Sequence, residues 1–188
     1  MNKVFFTSDT HFGHANIIKY CDRPYKHVDS MNEALVYNWN NKVSKDSTIY
    51  HLGDFAFLDE SSIKDLIWSL NGKIIFIPGN HDKNLIKAFE KFNFDGKATL
   101  ASVIHNETFN VEDEKIRFVM CHYAMKVWDK SHYGAIHLYG HSHGSLPEDK
   151  TSRSMDVGVD TNTYTPYSLD EILTIMSKKV YKPVDHHI

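Results

Sequence analysis

Cysteine is scarce: Cys21 and Cys121 are the two in 188 residues, too few for a disulfide framework. Cys121 closes the apolar run IRFVMC and reads as a buried free thiol, which suits a reducing compartment. No apolar segment approaches the roughly 20 residues of a membrane span. The opening MNKVFFTSDT has one Lys and only a brief apolar stretch, without the hydrophobic region of a secretory signal, so the expected location is the cytoplasm. Charge of one sign is also lacking. A net charge of −3, with Lys and Arg scattered along the chain, argues against a nucleic-acid or membrane footprint, which needs clustered cations.

With Pro at 5 and Gly at 9 residues, the chain offers no low-complexity segment, linker or internal repeat. Its length supports one domain, residues 1–188, with a sizeable core. Apolar residues at 41% and charged residues at 24% are ordinary for a globular protein. Nothing in the pattern argues for an oligomer over a monomer. What is abundant is histidine, 13 residues, the commonest metal ligand.

Residues 3–8, KVFFTS, read as a first strand. A helix follows over 29–43, with Met31, Leu35 and Trp39 on one face and Ser30-x-x-Glu33 as its capping box. TIYHL (48–52) is a second strand, and 62–70 a helix with the stripe Ile63, Leu66, Ile67, Leu70. KIIFI is a third strand, closed by Pro-Gly, before a short helix over 84–92. The second half is strand-rich: 98–104, 107–112, 115–121, 136–139 and 154–159. Ser168-x-x-Glu171 then caps a closing helix containing Ile172, Ile175 and Met176. Helices alternating with strands early and β runs later predict an α/β sandwich with mixed sheets.

The strand ends carry the chemistry. VFFTS leads to Asp9 and His11, TIYHLG to Asp54, KIIFIPG to Asn80 and His81, IRFVMC to His122, and IHLYG to His141 and His143. Only a sheet that aligns its carboxyl edges gathers groups so far apart in sequence. So many oxygen and nitrogen donors exceed the needs of one ion. They suit two divalent cations bridged by a carboxylate, for which Asp54 is the choice, about 3.5–4 Å apart as in phosphatases and nucleases. Carboxylate and imidazole without thiolate favour Mn, Fe or Zn.

Asp9-x-His11, Gly53-Asp54, Gly79-Asn80-His81-Asp82, His122 and Gly140-His141-x-His143, in this order, resemble the calcineurin-like metallophosphoesterase superfamily. TSDTHFGHANIIKYCDRP and YHLGDF look like its small single-domain members from bacteria and phages. The resemblance implies a metallophosphoesterase-type β-sandwich of mixed sheets flanked by helices. It implies one metal on Asp9, His11, Asp54 and His143, and a second on Asp54, Asn80, His122 and His141. A hydroxide bridging the ions would be the nucleophile. His81 would stabilise the phosphoryl oxygen or protonate the leaving group, and Asp82 would orient or charge-support His81. Gly79 is expected to permit a turn closed to other residues.

One departure matters. The superfamily's protein Ser/Thr phosphatases follow Gly-Asp with a phosphate-gripping Arg, whereas Gly53-Asp54 runs into Phe55-Ala56-Phe57. Phosphate binding then falls to the metals and His81, with Arg23, His14 and Lys83 as candidates by proximity in sequence. His14 could equally cap the following helix. His51, inside a strand, reads as packing; His27, His105, His132 and His137 read as structural, and His186 and His187 as a solvated tail. Trp128, His132 and Tyr133 are expected near the crevice mouth, where they either stack a base or pack their own loop. Arg153 and Asp156 read as structural.

The expectation is a dinuclear metal-dependent phosphoesterase acting on a small phosphate ester, with a phosphodiester such as a nucleotide or cyclic nucleotide favoured. A nuclease or phosphomonoesterase of the same family is the alternative. A non-catalytic protein-binding scaffold should have lost a ligand or the acid, and none is missing.

Overall fold

In a computed structural model, residues 3–184 are described. Two mixed sheets lie face to face. The first runs in the order β4-β3-β2-β1-β9, where β1 is Val4–Thr7, β2 Thr48–His51, β3 Lys73–Phe76, β4 Ala98–Leu100 and β9 Tyr167–Ser168. Its first four strands are parallel, and β9 pairs antiparallel with β1. The second contains β5 (Ile104–Val111), β6 (Glu114–Cys121), β7 (Ile136–Tyr139) and β8 (Ser154–Asp156) in sequence order. There β5 and β6 form an antiparallel hairpin, while β6, β7 and β8 run parallel.

The two-residue alternation of a strand divides the core. Phe5, Ile49 and Ile74 face one side of the first sheet, where they pack with α2 (Val28–Lys42), α3 (Glu60–Ser69) and α4 (Lys83–Lys91). Phe6 and Tyr50 face the other side, toward Phe118, Met120, Ile136 and Leu138 of the second sheet. Phe6 stacks on Tyr50 and Phe118 at ring-centroid distances of 5.5 and 5.6 Å. Each fully buried large apolar side chain contributes about 1.5–3 kcal/mol, so this interface holds the sheets together.

The helix termini explain the boundaries. Asp59 accepts from the N–H groups of Ser61 and Ser62 and starts α3. Ser168 and Glu171 form a reciprocal capping box at α5 (Leu169–Ser177), as the sequence predicts. The box expected at Ser30 does not form: α2 begins earlier, on His27, so Ser30 lies inside the first turn and its hydroxyl donates to the His27 carbonyl. The one-turn α1 (Ile17–Tyr20), with Asn16 at its N-cap, and the short β9 were not foreseen; four and two residues are too short to show a period. His14 therefore does not cap a helix. Among the described residues no helix is long and apolar enough to cross a membrane. His186 and His187 lie outside the described residues.

Candidate metal centre

Because β1, β2, β3, β6 and β7 all point their carboxyl ends the same way, the loops after them meet at one edge of the sandwich. The two sheets are tied there by a parallel bridge between Ser8 and Gly158 and by a bond from Val159 N–H to the Ser8 carbonyl, while a bond from Asp9 N–H to the Gly53 carbonyl joins the loops after β1 and β2. The loops deliver two clusters of converging ligand atoms: Asp9, His11 and His143, and Asp54, His122 and His141.

Asp54 stands between them. Its Oδ2 is 3.7 Å from His11 Nε2 and 3.4 Å from His122 Nε2, while Oδ1 accepts from the N–H of His81. Asn80 Oδ1 joins the second cluster, 3.1 Å from His122 Nε2. In the first, Asp9 Oδ1 lies 3.9 Å from His11 Nε2 and 3.8 Å from His143 Nε2. Both ring nitrogens of His11 are buried without a hydrogen-bond partner, which is costly in an interior unless something else occupies them. Separations of 3.4–3.9 Å exceed hydrogen-bond lengths but match donors that each sit about 2 Å from a shared cation. The residues fit a two-metal centre.

Supporting groups aim the imidazoles. His122 Nδ1 lies 2.7 Å from the Leu52 carbonyl, an acceptor, so Nδ1 carries the proton and Nε2 presents its lone pair to the site. His143 Nδ1 lies 2.7 Å from Asp160 Oδ2, the carboxylate–histidine arrangement that fixes metal ligands. Burial pushes the Asp9 carboxyl up to about 7, against the pull of His143. Burial also holds His11 down at about 3. In His143 burial is overcome by the Asp160 hydrogen bond, which raises it to about 10. Burial would raise Asp54 as well, but the adjacent His122 imidazole, with the backbone N–H of His81, keeps it at about 2. A carboxyl that holds its proton at Asp9 beside an imidazole that gains one at His143 describes a site short of positive charge.

Asp9, His11, Asp54, His141 and His143 all have φ between 48° and 66°, the left-handed region that non-glycine residues seldom occupy. Strain of this kind collects at functional sites. Close packing assists: a Cβ on Gly140 would lie 2.3 Å from Ser8 Oγ, and one on Gly79 would lie 2.4 Å from Asp54 Oδ1. Gly79 is not in a left-handed conformation, so the expectation of a glycine-only turn is corrected. It is needed for space.

Three further roles differ from the sequence reading. Asp82 does not support His81. Its fully buried carboxylate accepts from the backbone N–H groups of Asp54, Phe55 and Gly79, locking the two metal-bearing loops together. Arg23 does not reach toward a substrate: it is buried, forks onto Asp160, and donates to the Asp9 and Thr10 carbonyls and to Met31 Sδ. Trp128 packs its own loop, one of the two readings left open, and Tyr133 is away from the centre. The first is buried against Val119 and Ala135, and the second borders a hollow with Glu114 and Arg117 near the start of β6, the end opposite His122.

His81 is exposed beside the centre, its ring 5.0 Å from that of Phe57. His14 stacks on Phe57 at 4.1 Å. Lys83 is exposed on the first turn of α4. Asp160 and Tyr123 were missed. Asp160 falls in a short 3-10 turn after β8 with no motif around it, although the spacing Asp156-x-Gly158-x-Asp160 offered a weak signal. Tyr123, next to His122, donates to Asn80 Oδ1 at 3.3 Å. Asp156 accepts from Gly144 and Gly158 N–H groups and so braces the His143 loop.

A model of the calcineurin-like phosphoesterase superfamily domain matches residues 2–158. The chain belongs to this superfamily, whose members are metal-dependent phosphoesterases. An uncharacterized protein of Methanocaldococcus jannaschii is 34% identical over 193 residues, covering 98% of each chain. The Gene 66 protein of Mycobacterium phage D29 is 35% identical over 86 residues, 44% of this chain and 42% of that protein. The crystal structure of a protein of unknown function from Aquifex aeolicus shares the fold, with a TM-score of 0.67 and 22% identity over 93% of this chain and all of that one.

Proposed function

We propose that this protein is a dinuclear phosphodiesterase of the cytoplasm that hydrolyses a small phosphate diester, a nucleotide or cyclic nucleotide, using two ions drawn from Mn, Fe and Zn. The observation that carries the reading is the position of Asp54 Oδ2, within 3.7 Å of an imidazole nitrogen from each ligand cluster, in a chain of the phosphoesterase superfamily. The free state of Cys21 and Cys121 agrees with a reducing compartment.

Asp9, His11 and His143 would hold one ion, Asn80, His122 and His141 the other, with Asp54 shared. Bound there, the ions supply Lewis-acid charge for the phosphoryl oxygens and lower the pKa of water toward neutrality. A water oxygen, its proton released to solvent, attacks phosphorus in line as the ester P–O bond opposite it breaks. His81 is fixed through its backbone N–H to Asp54 while its exposed imidazole remains available, and it delivers a proton to the departing oxygen. The net charge of −3 supports a small substrate over a polynucleotide.

The test is hydrolysis of bis(p-nitrophenyl) phosphate against p-nitrophenyl phosphate by metal-stripped protein reloaded with Mn, Fe or Zn, with metal counted. Diester cleavage with close to two ions per chain is the expected result. Preference for the monoester would overturn the diester assignment, and two bound ions with neither ester cleaved would overturn the enzyme reading for such esters.

A further inference from the structure

From the candidate ligand His143 a row of rings runs out of the metal centre to the surface, bent so that His14 also lies 5.4 Å from His11. His143 lies on His11 at 5.1 Å and 27°, His11 on Phe57 at 5.4 Å and 25°, and Phe57 on His14 at 4.1 Å and 20°. Tyr20 ends the row edge-on to His14, at 6.2 Å and 73°. The inner rings are a buried candidate ligand, His11, and a half-buried one, His143, whereas the outer rings of Phe57 and Tyr20 are exposed. Phe57 is 38% exposed and Tyr20 is 74% exposed, a large apolar surface on a short helix and a loop that have no packing need to display it.

Neither aromatic is explained by phosphoryl transfer. Phe57 occupies the stretch after Gly53-Asp54 and lies beside His81, so the apolar surface starts where the ester substituents of a bound phosphate must leave the centre. Aromatic faces next to an anion-binding site suit a ligand that is charged at one end and planar at the other. Base stacking on aromatic side chains is tolerant of base identity because every base has a π-face. Among the described residues no Lys or Arg lies over these rings, so their faces are free for a planar group.

We infer that Phe57, His14 and Tyr20 form a stacking subsite for a nucleobase on one ester arm of the substrate. The inference rests on the phosphodiesterase reading. Tyr20 sets affinity at the outer end of the subsite, and Phe57 forms its floor next to His81.

Two diesters with one leaving group separate the subsite from the chemistry: thymidine 5′-(p-nitrophenyl phosphate) and methyl p-nitrophenyl phosphate, each assayed with protein reloaded with Mn. In parallel, calorimetry compares binding of thymidine 5′-monophosphate and inorganic phosphate. The nucleoside ester is expected to show kcat/KM about tenfold higher, and thymidine monophosphate to bind about tenfold more tightly than phosphate. Both advantages should shrink severalfold in Tyr20→Ala and in Phe57→Leu; the exposure of Tyr20 makes the first variant safe for folding. Equal values for the paired ligands, or an advantage that survives both variants, would overturn the subsite while leaving the phosphodiesterase intact. If neither ester is cleaved by protein holding two ions, the enzymatic reading fails, and the calorimetric comparison decides the subsite alone.

Discussion

Asp160 Oδ2 lies 2.7 Å from His143 Nδ1, and the same carboxylate is forked by Arg23 through Nε and Nη2 at 2.8 Å each. The imidazole is thus held by a buried ion pair, and its other nitrogen is left to face Asp9. Asp160→Asn keeps the size but loses the charge. Partners of this kind are typically worth 10–100-fold in metal affinity. The variant is expected to bind its first ion weakly, so chelator titration should show one site weakened by roughly that factor and the other little changed. Two equally tight sites would refute the role of Asp160.

Arg23→Met tests whether the guanidinium is a structural tie. Removing one member of a buried charge pair costs about 3–5 kcal/mol, and two backbone carbonyls also lose a donor. The urea midpoint should fall markedly. A substrate clamp would instead leave stability unchanged and raise KM.

His81 and Asp82 are neighbours in the chain with separate tasks. His81→Ala is expected to retain both metals while turnover drops by roughly 10²–10⁴, the range for a general acid. Asp82→Ala strips the acceptor from three backbone N–H groups, each loss costing about 1–3 kcal/mol, so its signature is a lowered melting temperature. If Asp82→Ala melted normally and matched His81→Ala in activity alone, the orienting role would be restored.

Stability should fall on acidification through two buried histidines. Thr10 donates its hydroxyl proton to the Phe55 carbonyl and so accepts from His51 Nε2, leaving His51 Nδ1 buried and unpartnered. Burial lowers His51 from 6.5 to about 3. Burial also lowers His137, whose Nε2 accepts from Met125 N–H while Nδ1 faces the Val119 carbonyl. Below pH 6.5 the unfolded chain takes up protons that the folded chain refuses. The stabilisation is therefore complete above pH 6.5 and decreases as pH drops toward 3, by at most about 1.4 kcal/mol per pH unit for each group. Urea midpoints of metal-free protein at pH 7.5, 6.5 and 5.5 should show a shallower pH slope in His51→Gln than in the parent. An unchanged slope would mean that His51 is not held neutral.

The parts legible in the sequence were those with a period or a motif. Met31, Leu35 and Trp39 repeat every four residues and are buried on α2 as expected, and five apolar runs ending in His, Asp or Asn marked where the sheets converge. What escaped depended on distance in the chain. Arg23 and Asp160 are 137 positions apart, and no local pattern pairs them. Asp82 looked like a partner for His81 because adjacency was the available cue, whereas its partners are backbone groups of another loop. Ser30 carried a valid capping pattern at a place where the helix had already begun.

The left-handed backbone at Asp9, His11, Asp54, His141 and His143 narrows the alphabet available at those positions. Outside glycine, Asn, Asp and His are the residues that most often accept that conformation. Those same three supply oxygen and imidazole donors to metals. Geometry and ligation therefore favour the same letters, and a glutamate or cysteine, chemically able to bind a cation, would reach that conformation only at a larger cost in backbone strain.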